Sequence, residues 1–253
     1  MFSRWLMLTT TTSFLARHMP GFHAEVPESK PPPCSHSIDA LLEKGADILD
    51  LGAVSSRPGA EEVDAEAEWA RLEPFLEIAA REYAGVIFSI DTFRASVVLM
   101  AYQVIGRFWI NDISAGEWDE AMLPVAGRLG LRYIAMHHRG TFSTMHGEYA
   151  YDDVVEEVKE YFRSFALCAR DAGVRDWVLD PGFGFSKSDA DNQLLFDRLD
   201  ELKSFRRPLL VGVSRKRFIW RPRGLTPDTC GDVVREYEAR AAALGADIIR
   251  THL

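Results

Sequence analysis

The sequence WVLDPGFGF, residues 177–185, predicts a buried strand that ends in a carboxylate and continues into a sharp turn. The apolar run before Asp180 is typical of a strand that is buried on both faces. Pro181 and the glycines after it predict a loop that bends tightly and lets another group approach its backbone. An aspartate that only caps a turn explains one such stretch equally well. The interpretation therefore depends on whether the chain repeats the pattern.

Apolar runs that end in polar loops recur along the whole chain. They predict strands over residues 5–8, 47–52, 86–91, 108–112, 132–137, 177–180, 208–213 and 247–250. Helical stretches separate these runs, and residues 152–172 have the clearest apolar face at helical spacing. About eight strands that alternate with helices predict a (β/α)8 TIM barrel in a single domain over residues 1–253. An open doubly wound sheet is the alternative.

Three regions of this barrel carry more specific expectations. Residues 1–37 are predicted as a divergent N-terminal strand and loop, and residues 38–44 as a short first helix. The helix over residues 62–83 is expected to kink or break at Pro74, because proline cannot donate a helical hydrogen bond. The sequence stops at Leu253, so we expect the helix that would follow the last strand to be missing.

Composition excludes several classes of protein. A formal net charge of −9 argues against a general nucleic-acid surface, although a local basic cluster can still bind a small anion. No apolar run is long enough to span a membrane. Cys34, Cys168 and Cys230 are scattered and odd in number, which favours reduced thiols in a cytoplasmic protein.

Polar side chains lie at the ends of most of the predicted strands. They are Arg57, Asp91, Asn111, Asp180, Lys216 and Arg250, with His252 just beyond the last strand. In a parallel barrel the carboxyl ends of all strands open at one mouth, where active sites form. Each residue alone could belong to a turn, but charges are rarely buried without a partner. The whole set therefore predicts one polar site at the mouth.

The predicted site has two chemically different halves. Asp91 and Asp180 are hydrogen-bond acceptors, and Asn111 can both accept and donate. These groups suit a flat heterocycle with several N–H donors along one edge. The cationic half consists of Arg57, Lys216, Arg250 and His252. Such donors suit an anion with several oxygens, such as phosphate or pyrophosphate. The sequence contains no Walker P-loop, HExxH motif or Gly-x-Ser-x-Gly elbow.

Short motifs at these strand ends resemble those of dihydropteroate synthases in content and order. They are SSRPG at 55–59, SIDT at 89–92, IND at 110–112, MH at 136–137, LDPGFGF at 179–185, SRK at 214–216 and RTH at 250–252. The resemblance runs from about residue 41 to residue 252. It implies a (β/α)8 barrel that joins 6-hydroxymethyl-7,8-dihydropterin pyrophosphate to p-aminobenzoate in folate synthesis and releases pyrophosphate.

The resemblance also implies roles for the matching residues. The pterin ring would be held by Asp91, Asn111, Met136, Asp180 and Lys216. Pyrophosphate would be bound by Arg57, Arg250 and His252. The p-aminobenzoate site, where sulfonamides bind in this family, would be framed by Ser56, Pro58, Phe185 and Lys216. The catalytic residues would be Lys216, Asp91 and Asp180. The family further implies Mg²⁺ as cofactor and a homodimer as the assembly.

The first loop departs from the family pattern and leaves catalysis open. Synthases resemble Asn-Val-Thr-Pro-Asp-Ser-Phe there, and the Asn helps to hold the metal. Residues 9–14 of this chain are TTTTSF, without either the Asn or the Asp. Hydroxyl groups are poorer Mg²⁺ ligands than amide or carboxylate oxygens, so the metal ligands are unassigned. The chain is either a working synthase with an altered loop, or a catalytically impaired pterin-binding homologue or truncated synthase.

Two further interpretations have less support in the sequence. A methyltransferase that acts on a pterin cofactor would share the barrel and the Asp and Asn of the pterin edge, but the SRK and SSRPG motifs favour a synthase. His137, His138 and His146 could suggest a metal site. No carboxylate or cysteine lies at ligand spacing from them, so loop histidines near an anion site are the preferred interpretation.

Overall fold

A computed structural model describes residues 3–9, 33–56, 59–60 and 62–251 of the chain. The strands are β1 (Ser3–Thr9), β2 (Ile48–Gly52), β3 (Ile87–Asp91), β4 (Trp109–Asp112), β5 (Arg132–Met136), β6 (Trp177–Asp180), β7 (Leu210–Val211) and β8 (Ile248–Thr251). They form one parallel sheet in the order β6-β5-β4-β3-β2-β1-β8-β7. Leu179 of β6 bridges in parallel to Leu209, beside β7. The sheet therefore closes, which confirms the predicted (β/α)8 barrel and excludes the open sheet.

Helices connect the consecutive strands along the chain. They are α1 (Pro33–Glu43), α2 (Ala65–Glu82), α3 (Ala95–Ile105), α4 (Met122–Leu129), α5 (Val154–Asp171), α6 (Asp189–Asp197), α7 (Arg217–Trp220) and α8 (Gly231–Ala243). Short 3-10 helices, Leu199–Phe205 and Arg221–Arg223, follow α6 and α7. Of these helices in the described part of the chain, none has the length and apolar character needed to cross a membrane.

Side chains just before the helices explain where several of them begin. Asp64 accepts a hydrogen bond from the amide of Ala67 at 2.7 Å at the start of α2. Asp153 accepts from two amides in the first turn of α5. Ser188 and Asp191 form a reciprocal capping box at the start of α6. These short polar side chains satisfy amides that have no partner within the helix.

Two helices differ from the sequence prediction. α2 continues through Pro74 without a break, because its buried face packs Leu72 and Phe75 into the core and tertiary packing outweighs the lost hydrogen bond. α1 begins at Pro33, five residues before the predicted start. Proline is well tolerated in the first turn of a helix, where its missing N–H would have no partner.

The inside of the barrel changes from apolar to polar along its axis. Its lower layer is a separate apolar cluster of Ile48, Ile134, Val178, Leu210 and Ile248. Side chains alternate along a strand, so the next inward positions lie two residues nearer the carboxyl end. Those positions hold Asp50, Met136, Asp180, Gly212 and Arg250. The lower layer therefore closes the barrel, while the upper layer forms the floor of a polar site.

Candidate active site

The carboxyl ends of the strands surround a cavity of about 490 Å³. It brings together seven of the predicted site residues, which are Ser56, Asp91, Asn111, Met136, Phe185, Lys216 and Arg250. Asp180 lies next to them and contacts Arg250. The remaining predicted residues, Arg57, Pro58 and His252, lie outside the described residues, so their roles stay predictions. The described part of the predicted ring is thus a single site.

A buried carboxylate that we did not select from the sequence supports the floor of the cavity. Asp50 on β2 is fully buried and accepts hydrogen bonds from the Ser89 hydroxyl and, at 3.0 Å, from Nδ2 of Asn111. Burial raises the pKa of Asp50 to about 6. The Oδ1 atom of Asn111 is buried and has no hydrogen-bond partner among the described residues. Asn111 therefore presents an unused acceptor at the cavity.

Asp91, at the end of β3, is a second acceptor next to this pair. Burial raises the pKa of Asp91 well above its ordinary value, and the neighbouring Asp50 carboxylate raises it further. Gly52 makes room for this side chain, since a Cβ atom there would lie 3.1 Å from the Cβ of Asp91. A ligand that supplies N–H donors would favour the ionised carboxylate. The floor is therefore suited to a donor-rich ligand.

Asp180 and Arg250 form an ion pair within the layer that forms the floor of the site. Nη2 of Arg250 lies 3.0 Å from Oδ2 of Asp180, and both side chains are almost fully buried. Oδ1 of Asp180 accepts a hydrogen bond from the amide of Gly182 at 2.8 Å. Gly212 leaves space for the guanidinium, because a Cβ atom there would lie 2.8 Å from two of its nitrogens. The pair fixes both the carboxylate and the start of the loop that follows β6.

Lys216 supplies a further cation from the loop that follows β7, beside β8. Its Nζ atom lies 4.6 Å from the centre of the Phe185 ring, a cation–π distance. Burial, and then repulsion from Arg250, lowers the pKa of Lys216 to about 8. A bound anion would offset both effects and favour the protonated amine. The protonation of Lys216 therefore depends on the pH and on whether an anion is bound.

His146 connects two residues of the predicted p-aminobenzoate site. Its Nε2 atom lies 2.6 Å from the carbonyl oxygen of Ser56, and its ring stacks on Phe185 with centroids 5.0 Å apart. Burial lowers the pKa of His146, so a neutral ring that donates from Nε2 fits this contact. His146 lies in the loop after β5, and its two contacts connect this loop to the loop after β2 and to the loop after β6.

Lys187 holds the glycine-rich loop that connects β6 to α6. Its side chain is buried, and its Nζ atom donates to the carbonyl oxygens of Gly182 at 3.1 Å and Phe185 at 3.2 Å. The same atom lies 2.8 Å from Nδ1 of His137. Burial lowers the pKa of Lys187 to about 7. The lysine therefore organises the backbone that carries Phe185.

We expect Lys187→Met to lower the free energy of unfolding by about 1–3 kcal/mol, because the buried acceptors lose their donor. For a chain of this size the melting temperature should fall by about 2–4 °C for each kcal/mol. Differential scanning calorimetry measures both changes. Lys203→Met, at an exposed lysine of the 3-10 helix after α6, is the matched control and should leave the melting temperature unchanged. Equal melting temperatures for the two variants would contradict the assigned role of Lys187.

His137 and His138 both lie beside Tyr161, and His146 lies elsewhere in the site. His137 contacts Lys187, His138 lies beside Tyr161, and His146 contacts Ser56. Burial lowers the pKa of His138 to about 4. Within the described residues, no group of three or more His, Cys, Asp or Glu side chains could hold a metal ion. Of the altered first loop, residues 10–14 lie outside the described part.

Sequence reasoning missed Asp50 and Lys187 for different reasons. Asp50 lies inside an apolar strand, where alternation with Leu49 and Leu51 could have identified it as an inward charge. The role of Lys187 depends on the path of a loop, and no local pattern predicts which carbonyl oxygens a lysine will reach. Asp50 lies behind the residues that line the cavity, whereas Lys187 lines the cavity and also holds the loop after β6.

The site and the barrel agree with a comparison to known protein families. The chain matches the family described as "Pterin binding enzyme" over residues 29–252. Because this match covers most of its length, the chain belongs to the pterin-binding enzyme family. Within that family it falls with the dihydropteroate synthases. The enzyme of that name from Synechocystis sp. is 38% identical over 228 residues, which cover 87% of this chain and 77% of the relative.

Further relatives extend the same result. The dihydropteroate synthase of Escherichia coli K12 is 37% identical over 214 residues, which cover 84% of this chain and 75% of the relative. The crystal structure of the Yersinia pestis enzyme with a sulfonamide drug complex matches with a TM-score of 0.85 and 30% identity, over 99% of this chain and 88% of the other. The Thermus thermophilus enzyme in complex with 4-aminobenzoate matches with a TM-score of 0.83 and 34% identity, over the same shares of the two chains.

Proposed function

We propose that this chain is a working dihydropteroate synthase. It joins the amine of p-aminobenzoate to 6-hydroxymethyl-7,8-dihydropterin pyrophosphate and releases pyrophosphate. One observation carries the proposal: a single cavity combines unused or protonatable acceptors with cations. The acceptors belong to Asp91 and Asn111, and the cations belong to Lys216 and Arg250. A ligand with a donor-rich ring and an anionic tail fits both halves.

The pterin ring would bind at the floor of the cavity. Its N–H edge would donate to the Asn111 oxygen and to the carboxylates of Asp91 and Asp180. Each carboxylate oxygen has two lone pairs, so Asp180 can accept from a ligand while it keeps its contacts to Gly182 and Arg250. Met136, which is buried at the end of β5, would pack on the ring face. These contacts define which edge of the heterocycle is recognised.

The reaction breaks the C–O bond between the pterin methylene carbon and pyrophosphate. The bonding electron pair leaves with pyrophosphate, and the fixed carboxylates of Asp91 and Asp180 stabilise the positive charge that remains on the pterin. The nitrogen of the aromatic amine then forms the new C–N bond and loses a proton to water. Lys216 and Arg250, with Arg57 and His252 as further proposed donors, stabilise the leaving group.

The p-aminobenzoate would lie between Phe185, Lys216 and the Ser56 loop. Phe185 offers an apolar face, and Lys216 offers a cation beside it. Similarity to a relative solved in complex with 4-aminobenzoate supports this part of the proposal. Similarity to a relative solved with a sulfonamide drug complex supports the further proposal that sulfonamides compete for the same subsite.

We also propose that Mg²⁺ binds the pyrophosphate group of the substrate. Mg²⁺ commonly keeps several waters and binds substrate phosphates with only one or two protein ligands, so the described site does not need an acidic cluster. When bound, it would neutralise part of the charge on the leaving group. Its protein ligands are not assigned, because the hydroxyl-rich residues 10–14 lie outside the described part.

The assay that tests the proposal is direct. Purified protein is incubated with both substrates and Mg²⁺, and dihydropteroate is detected by chromatography and mass spectrometry. We expect product that requires both substrates and disappears when the metal is chelated. Folded protein that binds the pterin but makes no product would overturn the proposed activity. It would favour the impaired pterin-binding homologue, in agreement with the absent Asn and Asp of the first loop.

Compartment and assembly complete the proposal. We place the chain in the cytoplasm, because Cys168 is a free and exposed thiol and a reducing compartment keeps such thiols intact.

We also propose a homodimer, following the assembly expected from the family resemblance. Sedimentation equilibrium tests the dimer, and a monomer at micromolar concentration would contradict it.

A further inference from the structure

The amide of Asn111 can point in two ways, and each gives the cavity a different polarity. If Nδ2 points away from the cavity, the acceptor Oδ1 faces the ligand. If Oδ1 points away, the donor Nδ2 faces the ligand. Asn111 is 1% exposed, so neither atom can rely on bulk water for its hydrogen bonds. The side chain behind Asn111 must therefore decide the orientation.

Asp50 is that side chain. Its Oδ2 atom lies 3.0 Å from Nδ2 of Asn111, and its Oδ1 atom is occupied by the Ser89 hydroxyl. An ionised carboxylate only accepts hydrogen bonds, so Asn111 has to turn its amide nitrogen toward Asp50. The oxygen is left at the cavity, where it has no partner among the described residues.

We infer that Asp50 is a positioning residue for pterin recognition: it fixes the amide of Asn111 so that the floor offers an acceptor to an N–H donor of the ring. The inference rests on the proposed function, because it names the group that sets the polarity of the proposed pterin site. Asp50 does not touch the ligand in this account. Asp50 affects pterin binding only by orienting the amide of Asn111.

Asp50→Asn reverses the polarity with almost no change in shape. Among the described residues the Ser89 hydroxyl donates to Asp50 alone, so we expect it to keep donating to Oδ1, and the new amide nitrogen then replaces Oδ2 and faces Asn111. Two amide nitrogens cannot bond to each other, and Asn111 turns its oxygen inward and its NH₂ group to the cavity. A ring N–H then meets a donor instead of an acceptor. Pterin binding to the variant should be much weaker than to the native chain, because a buried polar group is left unpaired.

The test is calorimetric titration of 6-hydroxymethyl-7,8-dihydropterin into the native chain, Asp50→Asn, Asn111→Ala and the double variant at pH 7.5. We expect each single variant to weaken binding by about 5- to 150-fold, from an unpaired buried group worth about 1–3 kcal/mol. The double variant should be no weaker than the weaker single variant, since both changes remove the same contact.

Ser89→Ala is the matched control. It removes the other hydrogen bond to Asp50 but leaves the bond between Asp50 and Asn111, so pterin affinity should stay within about threefold. Multiplicative losses in the double variant would overturn the inference, and so would native affinity in Asp50→Asn or an equal loss in Ser89→Ala. A native chain that binds no pterin would overturn the proposed function together with the inference. Pterin binding without product formation would overturn only the proposed activity.

A measurement on the unmodified chain keeps the inference testable if Asp50→Asn does not fold. The chain has only two asparagines, Asn111 and Asn192. Selective ¹⁵N-asparagine labelling therefore gives two side-chain amide signals, and Asn111→Ala assigns them. We expect the Asn111 NH₂ protons to be protected from exchange and to stay protected when pterin is added. Loss of that protection on binding would mean that the amide turns toward the ligand, and the inference would be wrong.

Discussion

Asp180→Asn should lower kcat/KM for the pterin substrate by about 30- to 5000-fold, because truncating one partner of a buried charge pair costs about 2–5 kcal/mol. The substitution keeps an oxygen that can accept from the amide of Gly182, so the loop retains that contact. It removes the charge that pairs with Arg250 and that would stabilise the pterin cation. Initial rates at varied pterin concentration give the value.

A surface aspartate provides the control for this result. Asp176 precedes β6 at the other end of the same strand and is half exposed in its ion pair with Arg132. We expect Asp176→Asn to keep native kcat/KM, since exposed ion pairs contribute little. Asp180→Asn with more than a tenth of native kcat/KM and a native circular dichroism spectrum would contradict the assigned role of the Asp180–Arg250 pair.

Lys216→Met should lower kcat by about 100- to 1000-fold, which is the usual effect of removing one fixed donor to a developing negative charge. Lys216 is the cation that lies beside Phe185 in the cavity, and methionine keeps most of its apolar stem. Lys203→Met is the matched control, because Lys203 lies against Gly245, just before β8 and away from the mouth. A kcat within threefold of native would contradict the prediction.

The pH dependence of kcat/KM provides a second test of the role of Lys216. The pKa of Lys216 is lowered to about 8, so the amine loses its positive charge as the pH rises through that value. In the native chain kcat/KM should therefore fall on the alkaline side of about 8, because this ratio reports groups of the free enzyme. Lys216→Arg should lose that decline, since a guanidinium stays protonated. Lys187→Met should retain it, which separates the two buried lysines.

Much of the fold and the site could be predicted because both depend on local patterns. Apolar runs that alternate with helical stretches leave few architectures other than a barrel, and a barrel brings all strand ends to one mouth. Asp91, Asn111, Asp180 and Arg250 could be selected for that reason alone. The helix does not break at Pro74, one of the two predicted outcomes, because propensity describes the isolated segment and packing on the core decides where a helix ends.

The sequence by itself determined which groups are available: acceptors and cations at the ends of parallel strands, and a first loop without the expected Asn and Asp. Only the tertiary structure decided how those groups are connected. It pairs Asp180 with Arg250 across β6 and β8, sets Lys187 under the loop that carries Phe185, and brings Asp50 to Asn111 across 61 positions of the chain. A strand pattern specifies the face on which a side chain lies, but hydrogen-bond partners depend on strand order and register, which form only when the barrel closes.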